Sequence, residues 1–119
     1  MDMMIRSIED YRETLDDLGK EWLDYVMDYL KENHGAYELV LFYKRPVLKI
    51  TREIFLMLGG GKNHFSIYTT DFEYVEMIKA EKNIGLKFGK SAILFPLHKK
   101  EYMEKALKIC DEVINRAKN

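Results

Sequence analysis

Ile54-Phe55-Leu56-Met57-Leu58-Gly59-Gly60-Gly61-Lys62-Asn63-His64-Phe65-Ser66-Ile67-Tyr68 places two runs of strand-forming residues on either side of a glycine triplet. The second run alternates polar and apolar residues, as a half-buried strand does. The glycines permit the positive φ angles of a tight turn, so the stretch predicts a β-hairpin. With the turn centred on Gly60-Gly61, Ile54 faces Ile67 and Leu56 faces Phe65, giving one apolar side. The other side pairs Phe55 with Ser66 and Met57 with His64, with Tyr68 alongside. A slip of one residue would turn the polar set into the core, so the hydrophobic pattern specifies the register.

Downstream, Gly89-Lys90-Ser91-Ala92-Ile93-Leu94-Phe95-Pro96-Leu97 is apolar almost throughout from Ala92 and predicts a more buried strand over 91–95. Upstream, Leu39-Val40-Leu41-Phe42-Tyr43 and Val47-Leu48-Lys49-Ile50 are strand-like, separated by Lys44-Arg45-Pro46. Pro46 brings no backbone donor and belongs at an edge, a strand start or a bend.

Helices surround these strands. Ser7 and Asp10 form a variant capping box, and apolar residues at 8, 11, 15, 18, 22, 25 and 29 keep helical spacing. Gly19 and the capping residues Asp16-Asp17 divide that stripe into helices over 7–16 and about 18–33. Gly35 is placed to close the second in a left-handed conformation. Thr70 and Glu73 suggest a second capping box, opening a helix over about 71–81 that buries Phe72, Val75 and Ile78. Lys99 to Ala117 carries a last stripe of Tyr102, Ala106, Ile109, Val113 and Ala117. The expected architecture is one α+β domain over residues 1–119, a two-layer sandwich with a largely antiparallel sheet and helices packed on one face.

The formal charge of −1 conceals a division. Residues 1–40 hold 11 acids and 4 bases, a balance of −7, whereas residues 41–119 hold 9 acids and 15 bases, a balance of +6. A nucleic-acid binder is more often basic throughout, so nucleic acid is not an expected partner. No apolar run approaches the roughly 20 residues of a membrane span, and the amino terminus lacks the features of a secretory signal. The single cysteine, Cys110, reads as buried packing near Ala106 and Val113, and a reducing cytoplasm is the expected location.

Chemistry-bearing motifs are sparse. The two Gly-Lys pairs, at Gly61-Lys62 and Gly89-Lys90, lack the glycine five positions earlier that a phosphate loop needs, and both lead into strands. Three scattered histidines do not make a zinc site. Ser66 and His64 share a strand face about 7 Å apart, but no acid is positioned to orient the imidazole. An enzyme is therefore the less favoured reading. Asp17, Glu21, Asp24 and Asp28 line one side of the second helix. They are either an ordinary solvated face or labile oxygen ligands for a hard cation. Phe55, Met57 and Tyr68 form an aromatic patch around His64, open unless a segment such as 82–89 crosses it.

Four segments together resemble the YdhG-like family of small bacterial proteins over about residues 7–117: Ile8-Glu9-Asp10-Tyr11, Tyr43-Lys44-Arg45-Pro46, Lys62 to Tyr68, and Gly89 to Leu97. Where the family usually has glycine after the tyrosine of its Tyr-x-x-Pro segment, this chain has Lys44. Where it tends to have a proline before the final helix, this chain reads His98-Lys99-Lys100. Many members are domains of unknown function. One branch is described as a frataxin-like iron chaperone, so the resemblance implies an α+β sandwich and weak iron binding on an acidic helix.

The leading expectation is a non-enzymatic domain that binds or carries a small ligand on Tyr43, Phe55, Met57, Lys62, His64, Tyr68 and Lys90. The second is an iron carrier using Asp17, Glu21, Asp24 and Asp28. A homodimer through the open sheet face is the third.

Overall fold

A computed structural model of the chain describes residues 5–81 and 85–118. Two helices, α1 (Ile8–Arg12) and α2 (Asp17–Asn33), precede four strands, β1 (Leu39–Phe42), β2 (Arg45–Lys49), β3 (Phe55–Gly60) and β4 (His64–Thr69). Then come α3 (Phe72–Ala80), β5 (Lys87–Phe88), β6 (Ala92–Pro96), a turn of 3-10 helix at Lys100–Tyr102, and α4 (Met103–Lys118). The strands form one antiparallel sheet in the order β1-β2-β3-β4-β6-β5. The expected α+β sandwich is the architecture found.

One side of the sheet carries Leu48, Leu56, Leu58, Phe65, Ile67, Ile93 and Phe95, all 0–1% exposed. Onto it α2 lays Trp22, whose ring stacks on Phe65 at 5.5 Å and meets Phe95 at 5.8 Å. The indole N–H donates to the Leu97 carbonyl at 2.9 Å, so this fully buried side chain has no unpaired polar atom. Ala106, Ile109, Cys110, Val113 and Ile114 of α4 complete the layer. Tyr29 and His34, at the end of α2, both reach Asp111 of α4, at 2.6 and 2.7 Å.

The central hairpin keeps its predicted faces and changes its register. Met57 lies opposite Tyr68, Leu58 opposite Ile67, Gly59 opposite Ser66 and Gly60 opposite Phe65. Neither the Ile54–Ile67 and Leu56–Phe65 pairs nor the Phe55–Ser66 and Met57–His64 pairs form. The turn is not at Gly60-Gly61 but at Lys62-Asn63, closed by the Gly61 N–H donating to the His64 carbonyl at 2.7 Å. The shift moves each partner by four residues, an even number, so inward residues stay inward.

The glycines serve close packing instead of a turn. A Cβ on Gly60 would lie 2.8 Å from a methyl of Leu15, and one on Gly59 would lie 3.2 Å from the Tyr68 ring. The Gly60 N–H, beyond the end of β2, donates to the Tyr11 hydroxyl at 2.8 Å.

Several helix ends also differ from expectation. α1 stops at Arg12 because Thr14 and Leu15 make i→i+3 bonds and Asp16 then caps α2, its carboxylate accepting from the Gly19 N–H at 2.8 Å. Gly35 does not have a positive φ; His34 is the C-cap of α2. The N-cap of α3 is Asp71, which accepts from the Tyr74 N–H, while the Thr70 hydroxyl is engaged with the Glu53 carbonyl. Phe72 is 46% exposed, and Tyr74 takes the buried place assigned to it. Of the segment 82–89, named as the alternative cover for the open face, residues 82–84 lie outside the described residues; Lys87-Phe88 pairs along the sheet edge as β5.

Candidate functional site: the open face of the sheet

The register fixes which side chains stand on the face away from α2 and α4. Across the sheet, Val40, Val47, Met57, Tyr68 and Ala92 form one row. Phe42 and Arg45 begin the next, which continues through Gly59, Ser66 and Leu94 to Lys87. Lys49 with Phe55 stands on one side of these rows, and His64 with Pro96 on the other. Successive rows are about 7 Å apart. None of the six strands contains an acid, and every strand residue with a basic side chain (Arg45, Lys49, His64 and Lys87) is on this face.

The seven residues predicted as a ligand surface divide between its two ends. Phe55, Met57 and Tyr68 line a cavity of about 140 Å³ with Thr69, Thr70, Phe72 and Ser91. Lys90 belongs with them, because its ammonium lies 5.6 Å from the centre of the Phe72 ring. His64 stands at the far end of β4, beside the exposed turn residue Lys62, and Tyr43 is 72% exposed in the β1–β2 turn. Four residues of strand separate His64 from Tyr68, about 13 Å, so the set is not one compact pocket.

Sequence reasoning passed over four members of this surface. The Arg45 guanidinium lies 5.4 Å from the Tyr68 ring centre and the Lys49 ammonium 4.7 Å from that of Phe42, which packs edge-on against Tyr43 at 4.4 Å. Phe72, at the start of α3, supplies the cavity wall nearest Lys90. The missed signal was alternation in β1 and β2. Once Tyr43-Lys44 is seen as a two-residue turn, Phe42, Arg45 and Lys49 fall on one side by period two. Tyr43 and Lys44 have φ of 53° and 60°, the pair of positive angles that a type I′ hairpin needs. That geometry explains why a glycine suits position 44, where this chain carries lysine.

The proposed cation ligands are placed differently. The Arg12 guanidinium grips Asp24 through two bonds of 2.8 and 2.7 Å and holds its carboxyl below the ordinary aspartate range. Glu21 pairs with Lys100 at 2.9 Å, and Asp17 and Asp28 are exposed. Among the described residues no three His, Cys, Asp or Glu side chains come together as a metal-binding group. Cys110 is fully buried, and that burial pushes its thiol up to about 12.

Comparison with solved structures finds this fold elsewhere. A crystal structure of YdhG from Bacillus subtilis, a protein of the DUF1801 family, matches with a TM-score of 0.64, covering 89% of this chain and 90% of that one at 14% identity. The chain has the fold of YdhG. The resemblance read from Tyr43-Lys44-Arg45-Pro46 and the two strand motifs thus names a family with a solved member of this fold. No family model and no curated protein matches the chain. The YdhG likeness speaks for the fold alone, since a fold does not carry a function with it. Among the described residues no helix is long and apolar enough to cross a membrane.

Proposed function

We propose that the protein is a non-enzymatic binding domain whose recognition surface is the open face of the sheet, and that it takes planar anionic ligands. The observation that carries this reading is the cavity bounded by Phe55, Met57, Tyr68 and Phe72, with the Lys90 ammonium at its rim. Ligand sites for whole small molecules usually enclose about 300–1,000 Å³. A space of about 140 Å³ admits a single ring or a short side group, leaving the rest of the ligand on the surface. Phe and Tyr faces offer contact area to a ring, and Arg45 and Lys90 offer charge to its anionic substituent.

Anilinonaphthalene sulfonate, a fluorescent planar anion, is a suitable probe. The native protein should give a saturable fluorescence rise that weakens at least about tenfold when Tyr68→Ala is combined with Arg45→Ala. Tyr25→Ala, which removes the exposed ring on α2, should leave it unchanged. A rise that is absent, or indifferent to the double substitution, would remove the open face as the recognition surface.

A further inference from the structure

The open face has the chemistry of a platform for single-stranded nucleic acid, and we infer that an unpaired strand, lying across the rows of β1 to β4, is its partner. The inference rests on the reading of this face as a ligand surface and names the ligand class. Net charge argued against such a partner, but net charge is the wrong measure when the two signs occupy different layers. The helices α1 and α2 carry seven acids against three bases. The strands carry no acid, and their cations share one side.

Ion pairing follows the same division. The described ion pairs join helical and loop residues such as Arg12, Lys20, Lys100 and Arg116 to acids. Among the described residues no carboxylate lies within 4.0 Å of Arg45, Lys49, Lys87 or Lys90. Arg45, Lys49 and Lys90 are instead held over rings and Lys87 is exposed, which leaves them available to phosphate.

The rings supply the other half of the recognition. Phe42, Tyr43 and Phe72 are three of the five large hydrophobic side chains that are substantially exposed among the described residues, at 39%, 72% and 46%. Tyr68 lies against Gly59, where any side chain would displace it, so this ring is supported on bare backbone. Three successive rows about 7 Å apart each hold one ring, Phe55, Tyr68 and Phe42, with Lys49 and Arg45 among them, and rings interleaved with cations are the means by which a strand is bound, its bases stacked and its phosphates neutralised. Charge alone would serve an acidic peptide equally well. Exposed rings at both ends of the face, Phe42 and Tyr43 by the β1–β2 turn and Phe72 at the start of α3, favour a ligand that offers π-faces along its length.

Fluorescence anisotropy of a labelled (dT)12 strand tests this. The expected result is saturable binding at 20 mM salt that weakens with salt, the slope of log K against log salt falling by about 0.7 on Arg45→Gln. Tyr68→Ala and Tyr43→Asn, the latter keeping a residue that tolerates the turn, should each weaken binding at least about fivefold. Tyr68→Phe should retain it, which separates a lost ring from a damaged fold. An abasic 12-mer should bind more weakly than (dT)12 and respond little to ring removal. Equal binding of the abasic strand or of a 12-residue glutamate peptide would overturn the inference in favour of an acidic protein partner. Absent (dT)12 binding, with anilinonaphthalene sulfonate still saturating the face, would overturn this inference and spare the reading beneath it. Loss of both would remove the two together.

Discussion

Trp22 shows how much one residue decides. Its ring fills the space between α2 and the centre of the sheet, and its N–H satisfies the Leu97 carbonyl. Trp22→Ala should cost about 3–5 kcal/mol in a urea titration, and Trp22→Phe clearly less; equal losses would mean that cavity size is not what matters there. Lys44 makes the opposite point. It holds φ at 60°, which costs a side-chain-bearing residue on the order of 1 kcal/mol that glycine avoids. Lys44→Gly should raise the melting temperature by about 4 °C, whereas a lower one would show that the lysine earns its place through a contact. Cys110, buried with its thiol pushed up to about 12, should resist a disulfide reagent at pH 8 until the chain unfolds.

At the scale of the elements, two ion pairs tie helices to one another. Arg12 joins α1 to Asp24 of α2. Arg116 of α4 joins Asp71, the N-cap of α3, at 2.8 and 3.2 Å. The guanidinium hydrogen bonds lower both carboxyls below their ordinary range. Their folded-state affinity for protons is thus weaker than in the unfolded chain. The stabilisation is present above about pH 4, the unfolded value, and is lost as pH falls through the lowered folded value. The urea midpoint should fall on acidification below about pH 4, with a shallower fall in Asp71→Asn; an identical profile in that variant would exclude this pair as a cause.

Much of the element order was legible in the sequence because apolar periodicity survives without tertiary information. The faces of β3 and β4 were legible too, since inward and outward residues alternate whatever the register. What failed was everything that depends on a contact distant in sequence. Gly59 and Gly60 read as a turn, yet Tyr68 and Leu15 require them inside a strand. Thr70 read as a cap, yet the Glu53 carbonyl claims its hydroxyl. Phe42, Arg45 and Lys49 went unassigned because the turn at Tyr43-Lys44 lacks glycine, asparagine or aspartate, the residues that announce a type I′ hairpin.

Across the whole molecule, the acids of α1 and α2 lie in the helical layer, while the strand cations and most of the exposed rings lie on the open sheet side. Two copies meeting through their open faces would set Arg45, Lys49 and Lys87 against the same cations, which opposes association at low salt. Light scattering in 20 mM salt should therefore report a monomer; a stable dimer would mean that this face is covered by a second copy instead of a ligand. The most direct test of the open face as the recognition surface is a 1H–15N chemical-shift map during titration with anilinonaphthalene sulfonate. The account predicts that the moving amides cluster at Arg45, Met57, Tyr68 and Ser91. Shifts gathered along α2 and α4, with those strand amides still, would contradict it.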